Sequence, residues 1–110
     1  MKINVVTKNT INKYASHNAQ SKGPLNIWLE GLKIADWESP GDIISTFNTS
    51  DLLGKGSKRV VFNIGGNKYR VICKYYFGNT KVYLYIMWIG THSEYTKLCK
   101  QDKQYLICDY

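Results

Sequence analysis

Lys68, Arg70, His92 and Tyr95 are the residues whose types and spacing suit chemistry on a phosphate. An arginine can make two parallel hydrogen bonds to one phosphate, and a lysine approaches it as a point charge. Histidine has an ordinary pKa of ~6.5, which suits proton transfer near neutrality. Such groups can cleave an RNA strand. A base takes the proton of a 2′-hydroxyl, cations stabilise the phosphorane, and an acid protonates the departing 5′ oxygen. That route calls for no metal and no other cofactor. Tyr95 follows His92 at i+3, so the two share a face if the segment is helical.

Residues 59–95 must position these groups, and they read as three strands joined by two tight turns, Gly65-Gly66 and Gly78-Asn79. Two-residue turns set Phe62 opposite Tyr69 and Val60 opposite Val71. They also set Tyr69 opposite Trp88, Val71 opposite Ile86, Cys73 opposite Leu84 and Tyr75 opposite Val82. All of these lie on one apolar face, because side chains alternate along a strand. The other face then carries Arg59, Val61, Asn63, Lys68, Arg70, Ile72, Lys74, Lys81, Tyr83, Tyr85 and Met87, with cations and no acid. An ordinary solvated face would mix its signs. Tyr83 and Tyr85 could stack on bases there.

Elements that cover the apolar face come from the first half of the chain. Lys2–Val6 suggests a short strand. Thr7 can cap a helix running to His17, with Ile11, Tyr14 and Ala15 on one stripe. Pro24 suits the first turn of a second helix, in which Leu25, Trp28, Leu29 and Leu32 define a buried face ending near Ala35-Asp36. Trp37 reads as a core plug, and Ser39-Pro40 as a turn or the start of a short helix over Gly41–Thr46. Asn48–Lys58 reads as a loop. His17 reads as the last residue of its helix. The expected fold is α+β: a mostly antiparallel twisted sheet with two N-terminal helices packed on one face.

The composition agrees with a single folded domain over residues 1–110. The 110 residues are 44% hydrophobic and 21% charged, which excludes a disordered chain. A formal charge of +7 points to an anionic partner. No stretch has the length of a signal peptide or a membrane span, so a cytoplasmic location without membrane attachment is expected. Cys73, Cys99 and Cys108 should then stay reduced, and their spacing matches no metal site. Gly65-Gly66-Asn67-Lys68 lacks the pattern of a P-loop.

Three blocks together resemble the HigB-type toxins of the RelE-like superfamily. They are the string from Arg59 to Arg70, the motif Gly90-Thr91-His92-x-Glu94-Tyr95-x-Lys97, and Ala35-Asp36-Trp37-x-x-Pro40-x-Asp42-Ile43. The resemblance runs from about Lys2 to Lys97. It implies a small α/β toxin that cleaves mRNA in the A site of the small ribosomal subunit. A HigA-type helix-turn-helix antitoxin would silence it, and the complex would meet operator DNA. Carried over, the working positions are Lys68, Arg70, His92 and Tyr95, with Asn63, Lys74 and Lys97 as supporting contacts; the face itself adds Arg59, Tyr83 and Tyr85 as expected RNA contacts. Arg70 would clamp phosphate, His92 or Lys68 would carry the proton, and Tyr95 would stack or orient. Thr96 departs from the acid that members often carry there. The 98–110 tail extends past the resemblance, and Tyr105-Leu106-Ile107 has the composition of a strand. Two other functions fit the basic face alone: a non-catalytic RNA-binding module, and an interaction protein that docks an acidic partner.

Overall fold

Lys2–Val5 forms an edge strand, β1, that runs parallel to Lys81–Thr91, β5. The computed structural model describes residues 1–110. Asp51–Leu52 is β2, Arg59–Ile64 is β3 and Tyr69–Phe77 is β4. The sheet order is β1-β5-β4-β3-β2, and every pair except β1 with β5 is antiparallel. Two helices, α1 at Lys8–His17 and α2 at Lys22–Ile34, pack on one face. A third, α3, spans Pro40–Thr46, and a fourth, α4, spans His92–Lys100.

The apolar face forms as the alternation requires. Val60, Phe62, Val71, Cys73, Val82, Leu84 and Ile86 are buried against Ile11, Leu25, Trp28 and Leu32. Trp37 is fully buried, and its Nε1 donates to Thr46 Oγ1 at 2.9 Å. The Asp42 carboxylate accepts from the Glu38 and Ser39 amides at 2.7 and 3.1 Å and so starts α3. Thr7 stands before α1 but does not cap it. Its Oγ1 accepts instead from the Ile86 amide at 3.1 Å, tying the start of the helix to β5.

The register differs from the two-residue turns in an informative way. Phe62 pairs with Val71 and Ile64 with Tyr69, so the first connection is the four residues Gly65 to Lys68. Phe77 pairs with Val82, which makes the second connection Gly78 to Lys81. Lengthening each loop by two residues leaves every side chain on its expected face. A bulge then intervenes: Ile72 pairs with Trp88 but Cys73 pairs with Ile86, leaving Met87 as the extra residue. Beyond an inserted residue the alternation changes phase. Trp88 therefore leaves the main core and packs with Val61, Ile72 and Leu98 on the other face, while Ile89 takes the core position. Lys68 lies in the turn, not on a strand.

The 98–110 tail adds no strand. After α4 it makes a short 3-10 turn at Lys103–Tyr105 and lies over the second face of the sheet. The segment 48–58 is not wholly loop, since it contributes β2. Gly90 marks a close approach at the end of β5. A Cβ there would lie 2.4 Å from Cη2 and 2.5 Å from Cζ2 of Trp88. Gly90→Ala is expected to destabilise the protein by about 1–3 kcal/mol through overpacking, seen as a fall of several degrees in Tm; an unchanged Tm would contradict the packing described.

Candidate active-site cleft

Thr91, Gly90 and the turn before β4 set the cleft's geometry. Thr91 Oγ1 accepts from the Glu94 amide at 3.2 Å, and Glu94 Oε1 accepts from the Thr91 amide at 2.8 Å. This capping box stops β5 and starts α4 at His92. The His92 amide donates to the Lys68 carbonyl at 3.0 Å, joining the start of α4 to the β3–β4 turn. His92, Tyr95, Thr96 and Cys99 then follow at i, i+3, i+4 and i+7 and face one hollow. That hollow is a cleft of about 460 Å³ lined also by Asp51, Val61, Asn63, Arg70 and Lys100.

Arg70 forms its floor and is only 7% exposed. Its Nη1 donates to the Tyr69 carbonyl at 3.1 Å and its Nη2 to Asn67 Oδ1 at 2.9 Å. Both acceptors are neutral, and no carboxylate forms an ion pair with it. The guanidinium is thus oriented without being held in an ion pair. Tyr95 is half-buried beside Trp88, with ring centroids 6.1 Å apart. Burial first, then the adjacent Cys99 side chain and the Asp51 charge, push its phenol well above the ordinary tyrosine range, against a smaller opposing pull from Arg70. Tyr95 therefore stays protonated near neutrality, where its phenol can donate a hydrogen bond.

Of the residues expected to act together, Arg70, His92, Tyr95 and Asn63 line one cleft. Lys68 is exposed, lies outside the lining, and its backbone carbonyl accepts from the His92 amide. Lys97 is exposed on α4 and lies outside the lining. Lys74 and Tyr85 line a different cleft, and Tyr83 stacks against Tyr76 at 6.2 Å. The face is neither continuous nor acid-free. Asp51 reaches the cleft from β2, and Thr96, Cys99 and Lys100 line it from α4.

Arg59 is the clearest correction to a single open cationic surface. It is 7% exposed, and its Nη1 donates to the carbonyls of Gln104 at 3.2 Å and Ile107 at 2.7 Å. It anchors the tail and is not a free RNA contact. Desolvation lowers its pKa from the ordinary arginine value. Arg59→Met should cost about 1–3 kcal/mol by leaving buried carbonyls unpaired. Hydrogen exchange at residues 104–109 should accelerate, and unchanged exchange there would contradict the anchoring role.

A model of the HigB toxins, RelE-like toxic components of toxin–antitoxin systems, matches residues 21–98. The chain belongs to the HigB family. The match takes in the cleft residues from Asp51 to Thr96 and leaves β1, α1 and the tail outside it. No individual curated protein matches the chain significantly. As the toxic component of a two-part system, a HigB toxin has an antitoxin as its counterpart. No helix of this HigB toxin is long and apolar enough to cross a membrane.

Proposed function

We propose that this HigB toxin is an endoribonuclease that cleaves mRNA held in the ribosomal A site and so stops translation. The observation that carries the reading is the convergence of Arg70, His92 and Tyr95 on one cleft, with an oriented guanidinium that makes no ion pair. Arg70 binds the scissile phosphate and stabilises charge as the 2′ oxygen attacks phosphorus. His92 moves the proton, either from the attacking 2′-hydroxyl or to the departing 5′ oxygen. The P–O5′ bond breaks, leaving a 2′,3′-cyclic phosphate and a 5′-hydroxyl. Tyr95 donates a hydrogen bond that orients the phosphate, Asn63 supports the strand from the wall, and Lys68 and Lys97 add positive potential outside it. The toxin acts in the cytoplasm. A HigA-type helix-turn-helix antitoxin silences it, and operator DNA is met only through that complex.

Induced expression tests the reading. Growth should arrest, and new 5′ ends should appear inside translated messages, with both effects absent in an Arg70→Ala, His92→Ala double variant. Intact messages under confirmed expression, or full toxicity of the double variant, would overturn it.

A further inference from the structure

The tail that Arg59 anchors divides the second face of the sheet and leaves a separate cleft on its far side. This cleft, of about 830 Å³, is larger than the first and is lined by Ser57, Lys58, Arg59, Lys74, Tyr76 and Tyr85 among others, with no acid. Cys108 from the tail forms part of its wall, held where the Asp109 amide donates to the Met87 carbonyl at 2.9 Å. Arg59, Lys74 and Tyr85 form one row across β3, β4 and β5, and Tyr76 and Tyr83 pair beside it. Like charges directly opposite on a ladder repel, and neither Arg59 nor Lys74 has a carboxylate partner. The fold thus keeps an uncompensated pair of cations beside a pair of tyrosine faces.

The loop on the cleft's rim adds donors. Gly54, Lys55, Gly56 and Lys58 all have left-handed backbone, with φ of 69, 53, 67 and 55°. Lysine is uncommon in that region and costs energy there. The amides of Lys55, Gly56 and Lys58 make no hydrogen bond within the chain. Ser57 Oγ is buried without a partner in the same wall. Exposed backbone donors in such turns, beside lysines, bind phosphate oxygens.

We propose that this second cleft is a binding site for single-stranded RNA, with phosphates on Lys58, Lys74 and the amides of Lys55, Gly56 and Lys58 and bases stacked on Tyr85 and Tyr76. The proposal deepens the nuclease reading and rests on it for the identity of the ligand as RNA. Lys74 lies four residues along β4 from Arg70, about 13 Å at strand spacing, so one strand can occupy both clefts by crossing the tail. An acidic peptide would satisfy the cations but leave the tyrosine faces unused, which favours RNA.

Anisotropy of a labelled 2′-O-methyl RNA, which binds but cannot be cut, tests this with the full chain. Lys58→Ala with Lys74→Ala should weaken binding at least roughly tenfold and flatten the salt dependence by about 1.4 in log–log slope, the value for two phosphates on a single strand. Tyr85→Ala should weaken it about tenfold and Tyr85→Phe should restore it. Lys58→Gln with Lys74→Gln repeats the test should the alanine variant melt early. A wild-type salt slope in the lysine variants overturns the proposal, as does wild-type affinity in Tyr85→Ala. Polyglutamate bound as tightly as the RNA, and lost in the lysine variants, also overturns it in favour of an acidic protein partner. Cleavage in cells by Arg70→Ala and His92→Ala is read separately. Activity surviving in those variants sinks the nuclease reading while the lysine and tyrosine effects still stand.

Discussion

His92→Ala is expected to lower cleavage of ribosome-bound message by about 10²–10⁴-fold, the usual weight of a positioned acid or base. The protein should melt at the wild-type temperature. The side chain is exposed, and its residue is tied in through the backbone, the amide donating to the Lys68 carbonyl and the carbonyl accepting from Thr96 Oγ1. Loss of rate without loss of stability separates a chemical role from a capping one, because Thr91 and Glu94 carry the cap. Single-turnover rates with saturating ribosomes are the measurement, and added imidazole should restore part of the rate. Lys68 is the competing proton carrier, and it sits outside the cleft lining. Lys68→Ala should therefore cost far less. Tyr95 cannot compete as a base, because burial and its neighbours hold its phenol up, so it contributes no limb to the profile near neutral pH. A pH-dependent limb present in wild type and missing in His92→Ala would assign the transfer to the imidazole. A His92→Ala enzyme as fast as wild type would remove the residue from the mechanism.

The apolar face and the helices on it were legible because their signals are local. Alternation in β3 to β5 and the stripe of Leu25, Trp28 and Leu32 need no knowledge of distant residues, and a loop error of two residues leaves the faces intact. The bulge at Met87 was not legible. No glycine or proline marks it, and it follows from fitting β5 to both β4 and the Val61–Ile72–Leu98 cluster. Its consequence is large, since it turns Trp88 onto the ring of Tyr95, a residue that lines the cleft. The tail was equally hidden. Its contacts with Arg59 span 45 and 48 residues, and they involve carbonyls, which carry no side-chain signal. Asp51 entered the cleft through a two-residue strand too short for any periodicity. The start of α4 does carry a local signal: Thr91-x-x-Glu94 is a capping box, and it marks the shared face of His92, Tyr95, Thr96 and Cys99.

Arg70→Ala should cost about 10²–10³-fold in cleavage, as expected for removing one charge-stabilising group from a sheltered site, and Arg70→Lys should be nearly as slow. The second result is the sharper one. A lysine keeps the charge but cannot bond the Tyr69 carbonyl and Asn67 while presenting a planar fork to phosphate. If charge alone mattered, Arg70→Lys would work. Because Arg70 is 7% exposed, either change also disturbs packing, so melting curves must accompany the rates. Asn67→Ala provides the control. It leaves the guanidinium in place and removes one of its two tethers, so it should lower the rate by an intermediate factor with little change in Tm. A lysine variant with the wild-type rate would show that orientation of the fork is irrelevant, and a slow Asn67→Ala enzyme with normal stability would show that it matters even when the charge is untouched.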